Sequence, residues 1–408
     1  MKFTDFHFQD EVMDGIDAIG YEQPTPVQEQ AIPAIMDKKD LIACAQTGTG
    51  KTAAYVLPLL NNVVSKGGNH NKIGALIISP TRELAIQIDQ QLEGFSYYAA
   101  VSSIAVYGGG SGAAFEAERK AIREGADVIV ATPGRLMSHL NMGYVKLDKL
   151  ETLILDEADR MLDMGFLADI MRIISFLPVE RQTLMFSATM PEEIRKLARK
   201  IMNKPLEINL AVSKPAENVL QGAYLVYDNQ KNNLIKTLIK GKDDLKSVLI
   251  FSATKSSVKD LEIDLKKMKF NVRAIHSDLD QNERGNVLQD FKNRKTQILV
   301  ATDIVSRGID IDNISLVVNY NVPHDAEDYV HRVGRTARAE KTGVALIFIN
   351  QKEIRSFKRI EKFIGSEVRK IALPEELGEG PSYEEKSRPI GNRNRKPNKF
   401  KKKGKPRN

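Results

Sequence analysis

The stretch AQTGTGKT at residues 45–52 decides how the chain folds. It lies between an apolar run at 41–44 and a helix-like segment at 53–60. A strand, a glycine-rich turn and a helix in that order form a phosphate-binding loop, because the N–H groups at the helix N-terminus face the anion. Ala45 stands where the strict pattern has glycine, and the strand–loop–helix context offsets this departure. The stretch therefore predicts an α/β domain that binds a nucleotide.

Each residue type in this loop suits a phosphate group. Gly48 and Gly50 let backbone N–H groups approach phosphate oxygens, and Lys51 can reach the β- and γ-phosphates. The Thr52 hydroxyl can ligate Mg²⁺. Taken alone, the same residues could also form a glycine-rich turn without a nucleotide.

Working outward from the loop, short apolar runs alternate with helix-like stretches in two series. This alternation predicts two α/β domains, each with a parallel sheet and crossover helices. The weakly periodic segment 203–218, which contains Pro205 and Pro215, is the predicted linker, with a boundary near residue 212. We expect domains at 1–212 and 213–373. The predicted strands are 40–45, 75–79, 101–106, 127–131, 152–155 and 183–186 in the first series, and 247–251, 272–275, 297–301, 316–319 and 344–349 in the second.

The charge of the chain is concentrated at its C-terminal end. The formal net charge is +7, but 386–408 contains eleven Lys or Arg and no acid, which leaves residues 1–385 at −4. A nucleic-acid site on the folded body must therefore be a local groove. We expect 374–408 to be a disordered basic tail, which could anchor structured or ribosomal RNA without sequence specificity or could serve as a solubilising terminus.

The composition excludes some classes of protein. The first residues are rich in acids and aromatics where a signal peptide needs an apolar segment, and no apolar run approaches about 18 residues. A single cysteine, Cys44, cannot form an internal disulfide. We therefore expect a cytoplasmic protein without membrane insertion. We also expect a monomer, because no heptad pattern follows the second domain.

Carboxylates follow a second apolar strand about a hundred residues after the loop. Asp156 and Glu157 come directly after the run 153–155. Asp156 is a natural partner for Mg²⁺, and Glu157 can polarise the water that attacks the γ-phosphate. Alone, such a pair could be a solvated loop or a helix N-cap, and the lysine loop favours the catalytic interpretation.

A cationic segment in the second half suits the same reaction. Arg335 and Arg338 are three residues apart, on one face if the segment is helical. Arginines supplied from another domain can stabilise the charge on the phosphates in the transition state, which makes hydrolysis conditional on domain closure. In isolation the segment could also be a solvated basic helix start.

Taken together, these segments resemble the motifs of the DEAD-box ATP-dependent RNA helicases, in the order that family has them. The resemblance covers roughly residues 1–365 and implies two tandem RecA-like domains with parallel sheets, with ATP and Mg²⁺ as cofactors. Ala337 and Ser252-Ala253 are small departures from the pattern. The motifs are the segment up to Gln28, AQTGTGKT (45–52), PTRELA (80–85), Gly108-Gly109, TPGR (132–135), DEAD (156–159), SAT (187–189), ATDIVSRGID (301–310) and HRVGRTAR (331–338).

The resemblance also implies contacts to the nucleotide. Gln28 is assigned to adenine, and a carboxamide can pair with the N6 and N7 positions of that base. Phe3 matches an upstream aromatic residue that stacks on adenine, and Asp310 matches a ribose contact. The loop residues Thr47, Gly48, Thr49, Gly50, Lys51 and Thr52 are assigned to the phosphates, and Ser187, Thr189 and His331 to the coupling of hydrolysis with strand separation.

For RNA, the resemblance implies contacts from both domains. Most of the residues are hydroxyls, small residues and arginines, which suit contacts to the sugar–phosphate backbone rather than to base edges. They are Thr81, Arg82, Gly109, Thr132 and Arg135 in the first domain, and Thr254, Gln281, Arg284, Thr302 and Arg307 in the second.

The expected activity is RNA-stimulated ATP hydrolysis coupled to local unwinding of short duplexes or to remodelling of RNA–protein complexes. Two alternatives remain at this point: a nucleotide-gated RNA clamp that does not unwind, and a DNA-directed motor of the same superfamily. Within the family, the compact core and short basic tail look most like the bacterial RhlE-type branch.

Overall fold

The computed structural model describes residues 1–45, 48–67, 72–109, 112–210, 219–242, 244–276, 278–302, 314–336 and 343–383. Several predictions from the sequence fall outside these residues. They concern Thr47, Arg307, Asp310, Arg338, the boundary near residue 212 and the tail residues 384–408.

The first half of the chain forms a seven-stranded sheet in which every pairing is parallel. The strand order is β3-β4-β2-β5-β6-β1-β7. The strands are β1 (Leu41–Cys44), β2 (Ala75–Ile78), β3 (Ser103–Val106), β4 (Val128–Ala131), β5 (Thr152–Leu155), β6 (Gln182–Ser187) and β7 (Leu206–Asn209).

Nine helices accompany this sheet within the described residues, and a short 3-10 turn (Phe3–Phe6) precedes them. They are α1 (Asp10–Ile19), α2 (Pro26–Met36), α3 (Lys51–Val64), α4 (Arg82–Phe95), α5 (Gly112–Glu124), α6 (Pro133–Asn141), α7 (Ala158–Asp163), α8 (Leu167–Ile174) and α9 (Glu192–Ile201).

The second half forms another seven-stranded sheet, again with parallel pairings throughout. Its strand order is β10-β11-β9-β12-β13-β8-β14. The strands are β8 (Val219–Leu225), β9 (Val248–Phe251), β10 (Val272–Ile275), β11 (Ile298–Ala301), β12 (Leu316–Asn319), β13 (Gly343–Ile349) and β14 (Arg369–Ile371), and the described helices are α10 (Lys231–Ile239), α11 (Lys255–Lys267), α12 (Gln281–Lys292), α13 (Ala326–Val333) and α14 (Ile354–Ile364).

The central strands are buried along their whole length, which explains why apolar runs predicted them. All four residues of β1, β2, β4 and β5 are buried, as are those of β9, β11 and β12. A parallel sheet needs helices on both faces, so its strands are almost continuously apolar. Among the described residues, no helix is both long and apolar enough to cross a membrane.

Two predictions about segment boundaries were wrong. Residues 203–218 were predicted as a linker, but β7 lies within them and pairs with β1. Residues 374–383 were predicted as the start of the tail, but they pack on the second domain. Gln230 Nε2 donates to the carbonyl oxygen of Leu377 at 2.7 Å. A Cβ on Gly380 would lie 2.0 Å from the carbonyl oxygen of Leu225, so the chain runs directly against β8.

Helix α1 anchors the N-terminal segment to α4 by close backbone contact. A Cβ on Gly15 would lie 2.2 Å from the carbonyl oxygen of Phe95, at the end of α4. Backbone atoms cannot yield as a flexible side chain can. The two helices therefore approach this closely only because residue 15 is glycine.

We expect Gly15→Ala to reduce the free energy of unfolding by about 1–3 kcal/mol, the usual cost of overpacking. Urea unfolding curves would measure the change. Gly94→Ala is the matched control on the facing helix, because its Cβ would meet only the end of the Ile19 side chain at 3.4 Å. Equal unfolding midpoints for the two variants would contradict the proposed backbone contact.

Candidate nucleotide and RNA site

The phosphate-binding loop leads directly into helix α3. Gly50 precedes the helix with a φ of 86°, and Gly48 has a φ of 84°, so both adopt the left-handed conformation that favours glycine. Lys51 is the first helical residue, and its Nζ donates to the carbonyl oxygen of Ala45 at 2.6 Å. Lys51 as a whole is only 7% exposed. The helix N-terminus and the lysine thus face the same loop, as an anion site requires.

Gln28 ties the loop to the start of α2. Its Oε1 accepts a hydrogen bond from the Thr25 N–H at 2.8 Å, and its Nε2 donates to the carbonyl oxygen of Gly50 at 3.1 Å. A Cβ at position 50 would lie 2.4 Å from this Nε2. In this structure, the side-chain amide that is predicted to contact adenine is hydrogen-bonded to the loop backbone at Gly50. The adenine contact stays a prediction.

Phe3 belongs to an aromatic cluster with Phe6 and Tyr21. The residue is 3% exposed, and its ring centre lies 6.1 Å from the ring centres of both neighbours. The stacking of Phe3 on adenine also stays a prediction.

Asp156 follows β5 and is held by two hydrogen bonds. The Tyr55 hydroxyl donates to Oδ2 at 2.8 Å, and the Glu157 N–H donates to Oδ1 at 2.9 Å. Burial raises the pKa of Asp156 to about 6, with Lys51 opposing the rise and Glu157 adding to it. Sequence reasoning missed Tyr55, although its place four residues after Lys51 puts it on the same side of α3.

The Asp156 carboxylate and the Thr52 hydroxyl fit Mg²⁺. Burial outweighs the nearby charge of Lys51 and raises the pKa of Asp156, and a divalent cation would add positive charge that favours the ionised carboxylate. Within the described residues, no cluster of three or more His, Cys, Asp or Glu could hold a metal by itself. Mg²⁺ commonly binds through one or two carboxylates together with the phosphates of a nucleotide, so this donor set is adequate.

Glu157 has an unusual backbone conformation. Its φ of 51° and ψ of 52° lie in the left-handed region, which is costly for a side chain with a Cβ. The Oε2 atom lies 3.2 Å from Arg160 Nη1. The turn and the ion pair together orient the predicted water-polarising carboxylate beside Asp156.

Asp159 connects the DEAD segment to the SAT segment after β6. Its Oδ2 accepts hydrogen bonds from the Ala188 N–H at 3.2 Å, and from the Thr189 N–H and hydroxyl at 2.9 Å each. In return, the Asp159 N–H donates to the Ser187 hydroxyl at 3.3 Å. The structure therefore brings the predicted coupling residues Ser187 and Thr189 into direct contact with the DEAD segment.

The predicted arginine finger Arg335 follows α13, on which His331 also lies. Sequence reasoning gave no role to their neighbour Arg332, which is 4% exposed. Its Nη1 donates to Asn319 Oδ1 at 3.0 Å, and its guanidinium lies 5.0 Å from the centre of the Phe251 ring. Arg332 thus fixes this segment to the ends of β9 and β12.

The predicted RNA contacts cluster at helix N-termini on the carboxyl edges of both sheets. Thr81, Thr132 and Thr254 are the N-cap residues of α4, α6 and α11, and Thr302 directly follows β11. Thr81 and Thr254 accept N–H donors of their own helices. Backbone N–H groups at such helix starts attract phosphate, which suits contacts to the backbone of a strand.

Two predicted residues in the first domain lie directly against each other. The Arg82 guanidinium lies 4.9 Å from the centre of the Tyr107 ring. A Cβ on Gly109 would lie 2.1 Å from Arg82 Nη1, so glycine is needed for the guanidinium to occupy this place. Gly109 also has a φ of 87°.

Arg135 is oriented by residues of α5 that sequence reasoning missed. Its Nε donates to Glu118 Oε2 at 2.7 Å, and the guanidinium lies 4.4 Å from the centre of the Phe115 ring. The fully buried His139 contacts the same carboxylate oxygen at 2.8 Å and stacks on Phe115. This cluster holds the arginine in one direction at the start of α6.

One ion pair joins the two halves of the predicted RNA surface. Arg284 Nη2 of α12 lies 3.2 Å from Glu83 Oε1 of α4. Gln281 is the first residue of the same helix, and its side chain lies outside the described part of the structure.

Buried nitrogen atoms without a hydrogen-bond partner occur on three predicted contacts, at Arg82 Nε, Arg135 Nη2 and Arg284 Nε. Such unpaired donors are rare unless a ligand or water completes them.

Comparison with known families agrees with this geometry. Residues 25–197 match the DEAD/DEAH box helicase family, and residues 230–340 match the helicase conserved C-terminal domain. The chain is 38% identical over 374 residues to the ATP-dependent RNA helicase CshA of Listeria monocytogenes, covering 91% of this chain and 71% of that protein. It is 42% identical over 375 residues to CshA of Limosilactobacillus reuteri, covering 91% and 73%. The RhlE-type branch stays a prediction.

Solved structures support the same assignment. S. cerevisiae Dbp5 bound to RNA and ADP BeF3 superposes with a TM-score of 0.82 at 30% identity, covering 91% of this chain and 95% of Dbp5. Mss116p bound to ssRNA and AMP-PNP superposes with a TM-score of 0.81 at 29% identity, covering 92% and 80%. The two expected RecA-like domains are therefore confirmed, and the chain belongs to the DEAD-box family of ATP-dependent RNA helicases.

Proposed function

We propose that this helicase couples RNA-stimulated ATP hydrolysis to the local unpairing of short RNA duplexes or to the remodelling of RNA–protein complexes. The Glu83–Arg284 ion pair carries the proposal, because it joins helices that bear predicted RNA contacts in both domains. A strand that contacts both helices would favour the joined arrangement. ATP bound between the domains would favour it too, which links the two ligands thermodynamically.

On the ATP side, each residue has a distinct proposed task. Lys51 binds the β- and γ-phosphates, and Glu157 polarises the attacking water. Mg²⁺, when bound, would neutralise phosphate charge, and Asp156 and Thr52 would hold it. Arg335 and Arg338 would stabilise transition-state charge from the second domain. The remaining proposed nucleotide contacts are Phe3, Gln28, Thr47, Gly48, Thr49, Gly50 and Asp310.

Coupling would pass through the contact between Asp159 and Thr189. Because the Thr189 hydroxyl donates to the same Asp159 oxygen as two N–H groups, a shift in the DEAD segment would move the SAT turn with it. We assign Ser187 and His331 to the same coupling network.

RNA would be held by its backbone, with little sequence preference. Helix N-termini and arginines recognise phosphates, which are common to every sequence. We further propose a cytoplasmic monomer whose basic tail adds a non-specific RNA anchor. The proposed RNA contacts are Thr81, Arg82, Gly109, Thr132, Arg135, Thr254, Gln281, Arg284, Thr302 and Arg307.

Two other functions remain testable. An RNA clamp without unwinding would still need closure but not turnover, and the buried Lys51 and the oriented Glu157 favour turnover. A DNA-directed motor would be stimulated equally by DNA.

The decisive measurement is steady-state ATP hydrolysis with and without single-stranded RNA, compared with single-stranded DNA of the same sequence. We expect strong stimulation by RNA alone. Glu157→Gln should lower kcat by about 100-fold or more, because it removes the group that polarises water. Glu180→Gln, at an exposed position of the same domain, is the matched control and should retain activity.

Hydrolysis that is indifferent to RNA, or stimulated equally by DNA, would contradict the RNA-coupled mechanism. Strong RNA-stimulated turnover without strand separation in a short-duplex assay would instead favour the clamp.

Tyr55→Phe tests how Asp156 is held. The substitution keeps the ring, which packs 5.0 Å from Phe186, and removes the hydroxyl that donates to Oδ2. We expect the Mg²⁺ concentration for half-maximal hydrolysis to rise about tenfold, because a hydrogen bond to a charged group contributes roughly 1.5–3 kcal/mol. Titration of hydrolysis and of nucleotide binding with Mg²⁺ would measure this. Tyr97→Phe, at a tyrosine that is 80% exposed, is the control, and an identical Mg²⁺ dependence for both variants would refute the role of Tyr55.

Arg135→Gln tests the backbone contact in the first domain. Binding to single strands of different sequence should weaken by a similar factor, and the slope of log affinity against log salt should fall by about 0.7–1. Fluorescence anisotropy at several salt concentrations would show this. Arg199→Gln, at an exposed arginine of α9, should leave the slope unchanged. A sequence-dependent loss would mean that Arg135 reads bases instead.

A further inference from the structure

Helix α14 has two faces of opposite character. One face packs on the apolar core of the second domain, and each of its residues is at most 1% exposed. These residues are Ile354, Phe357, Ile360 and Ile364. The opposite face carries four exposed cations at i, i+3, i+4 and i+7, which place them in one row along the helix. This cationic stripe consists of Arg355, Lys358, Arg359 and Lys362.

The stripe is not paired with carboxylates, although Glu361 and Glu367 line a cavity together with Lys358 and Lys362. None of its four residues forms an ion pair with a described acid. The only acid of the helix, Glu361, accepts hydrogen bonds from the Val368 N–H, from Lys370 and from the Tyr383 hydroxyl instead. The outward charge of the helix is therefore +4, on a body whose sequence up to residue 385 carries −4.

Helix stability does not explain this arrangement. Like charges at i, i+3 and i, i+4 destabilise a helix by a few tenths of a kcal/mol per pair. Arg355, in the first turn, also opposes the helix dipole. Two other helices pair their charges instead, as Lys266 does with Glu262 in α11 and Arg119 does with Glu116 in α5.

The position of the stripe suits RNA. Helix α14 follows β13, whose carboxyl end lies on the same sheet edge as those of β9 and β11, after which Thr254 and Thr302 come. In strand order β13 is two places from β9, which is roughly 10 Å. The helix packs on the same core cluster as α12, the helix of Arg284. RNA extending beyond the core contacts could therefore reach it.

The last described residue also lies beside the stripe. Lys358 Nζ lies 5.4 Å from the centre of the Tyr383 ring, and Lys370 Nζ lies 4.7 Å from it. In the sequence, Glu384 and Glu385 come directly after Tyr383, and the eleven Lys and Arg of 386–408 follow them.

We propose that the cationic stripe of α14 is a second RNA-binding surface. It would hold the phosphate backbone of RNA that flanks the strand bound by the RNA contacts proposed above, which we call the core site. The two arginines of the stripe, Arg355 and Arg359, suit phosphate because a planar guanidinium group can bind it bidentately. The proposal rests on the RNA-binding function proposed above. An acidic protein is the other partner that the charge would suit, and RNA is favoured because the chain belongs to an RNA helicase family.

The test replaces all four stripe residues with glutamine in the full chain: Arg355→Gln, Lys358→Gln, Arg359→Gln and Lys362→Gln. The matched control changes the same charge on the other side of the second domain. Its four substitutions are at lysines that line a cavity of about 520 Å³ beside α10 and α11: Lys236→Gln, Lys240→Gln, Lys242→Gln and Lys269→Gln. Glutamine keeps two methylenes of the aliphatic stem and has a high helix propensity, and all the replaced residues are exposed, so both variants should fold.

Anisotropy would measure affinity for two RNAs: a single strand short enough to fill only the core site, and the same strand flanked by a duplex. For the stripe variant, affinity for the flanked RNA should fall at least tenfold at low salt, and the salt slope should decrease by about 2–4, since each neutralised phosphate contributes about 0.9. The short strand should bind normally and should stimulate ATP hydrolysis as in the parent. The control should match the parent with both RNAs.

Unchanged binding of the flanked RNA would overturn the proposal, and this is the result expected if the stripe binds an acidic protein. An equal loss in the control would also overturn it, because the effect would then come from total charge. Failure of the parent itself to respond to the short strand would instead refute the proposed RNA-coupled function.

Discussion

Every described strand pairing in both sheets is parallel, and the placement of the site depends on this constraint. Parallel strands end at one edge of a sheet, and the helix that follows each strand begins there. In the first domain, the lysine loop, the acidic segment and the hydroxyl caps therefore meet at one edge, although they are up to about a hundred residues apart in sequence. Each helix start also directs N–H groups toward that edge, where phosphates would lie.

At this edge of the first sheet, a few buried hydrogen bonds connect motifs that are separate in the sequence. Gln28 joins the start of α2 to the phosphate loop, and Tyr55 joins α3 to Asp156. Asp159 joins the acidic segment to the turn after β6. Each bond is made by a side chain that is largely withdrawn from water, so a change at one motif displaces the next rather than being absorbed by solvent.

The arginines of the predicted RNA site and the cations of α14 differ in how neighbouring side chains hold them. Arg82, Arg135 and Arg284 are each oriented by an aromatic ring or a carboxylate, and each keeps a buried nitrogen without a partner. The cations of α14 lie on an exposed face and form no ion pair with a described acid, although Lys358 lies near the Tyr383 ring. A preorganised arginine fixes the position of a strand, whereas an exposed stripe attracts phosphate over a longer range and with strong dependence on salt.

The central strands were predictable because burial on both faces makes them continuously apolar, and the two domains followed from the two series of such strands. The edge strand β7 was not predictable in this way, because three of its four residues are exposed and its sequence therefore resembles a linker. The order of motifs determined the family, because phosphate chemistry requires particular residue types at short spacings. Tertiary structure alone decided that Tyr55 holds Asp156, that Glu118 orients Arg135, that Arg332 anchors the arginine segment, and that residues 374–383 pack on the second domain. These contacts join residues up to about 150 positions apart, and no local pattern of sequence encodes which side chains two packed elements bring together.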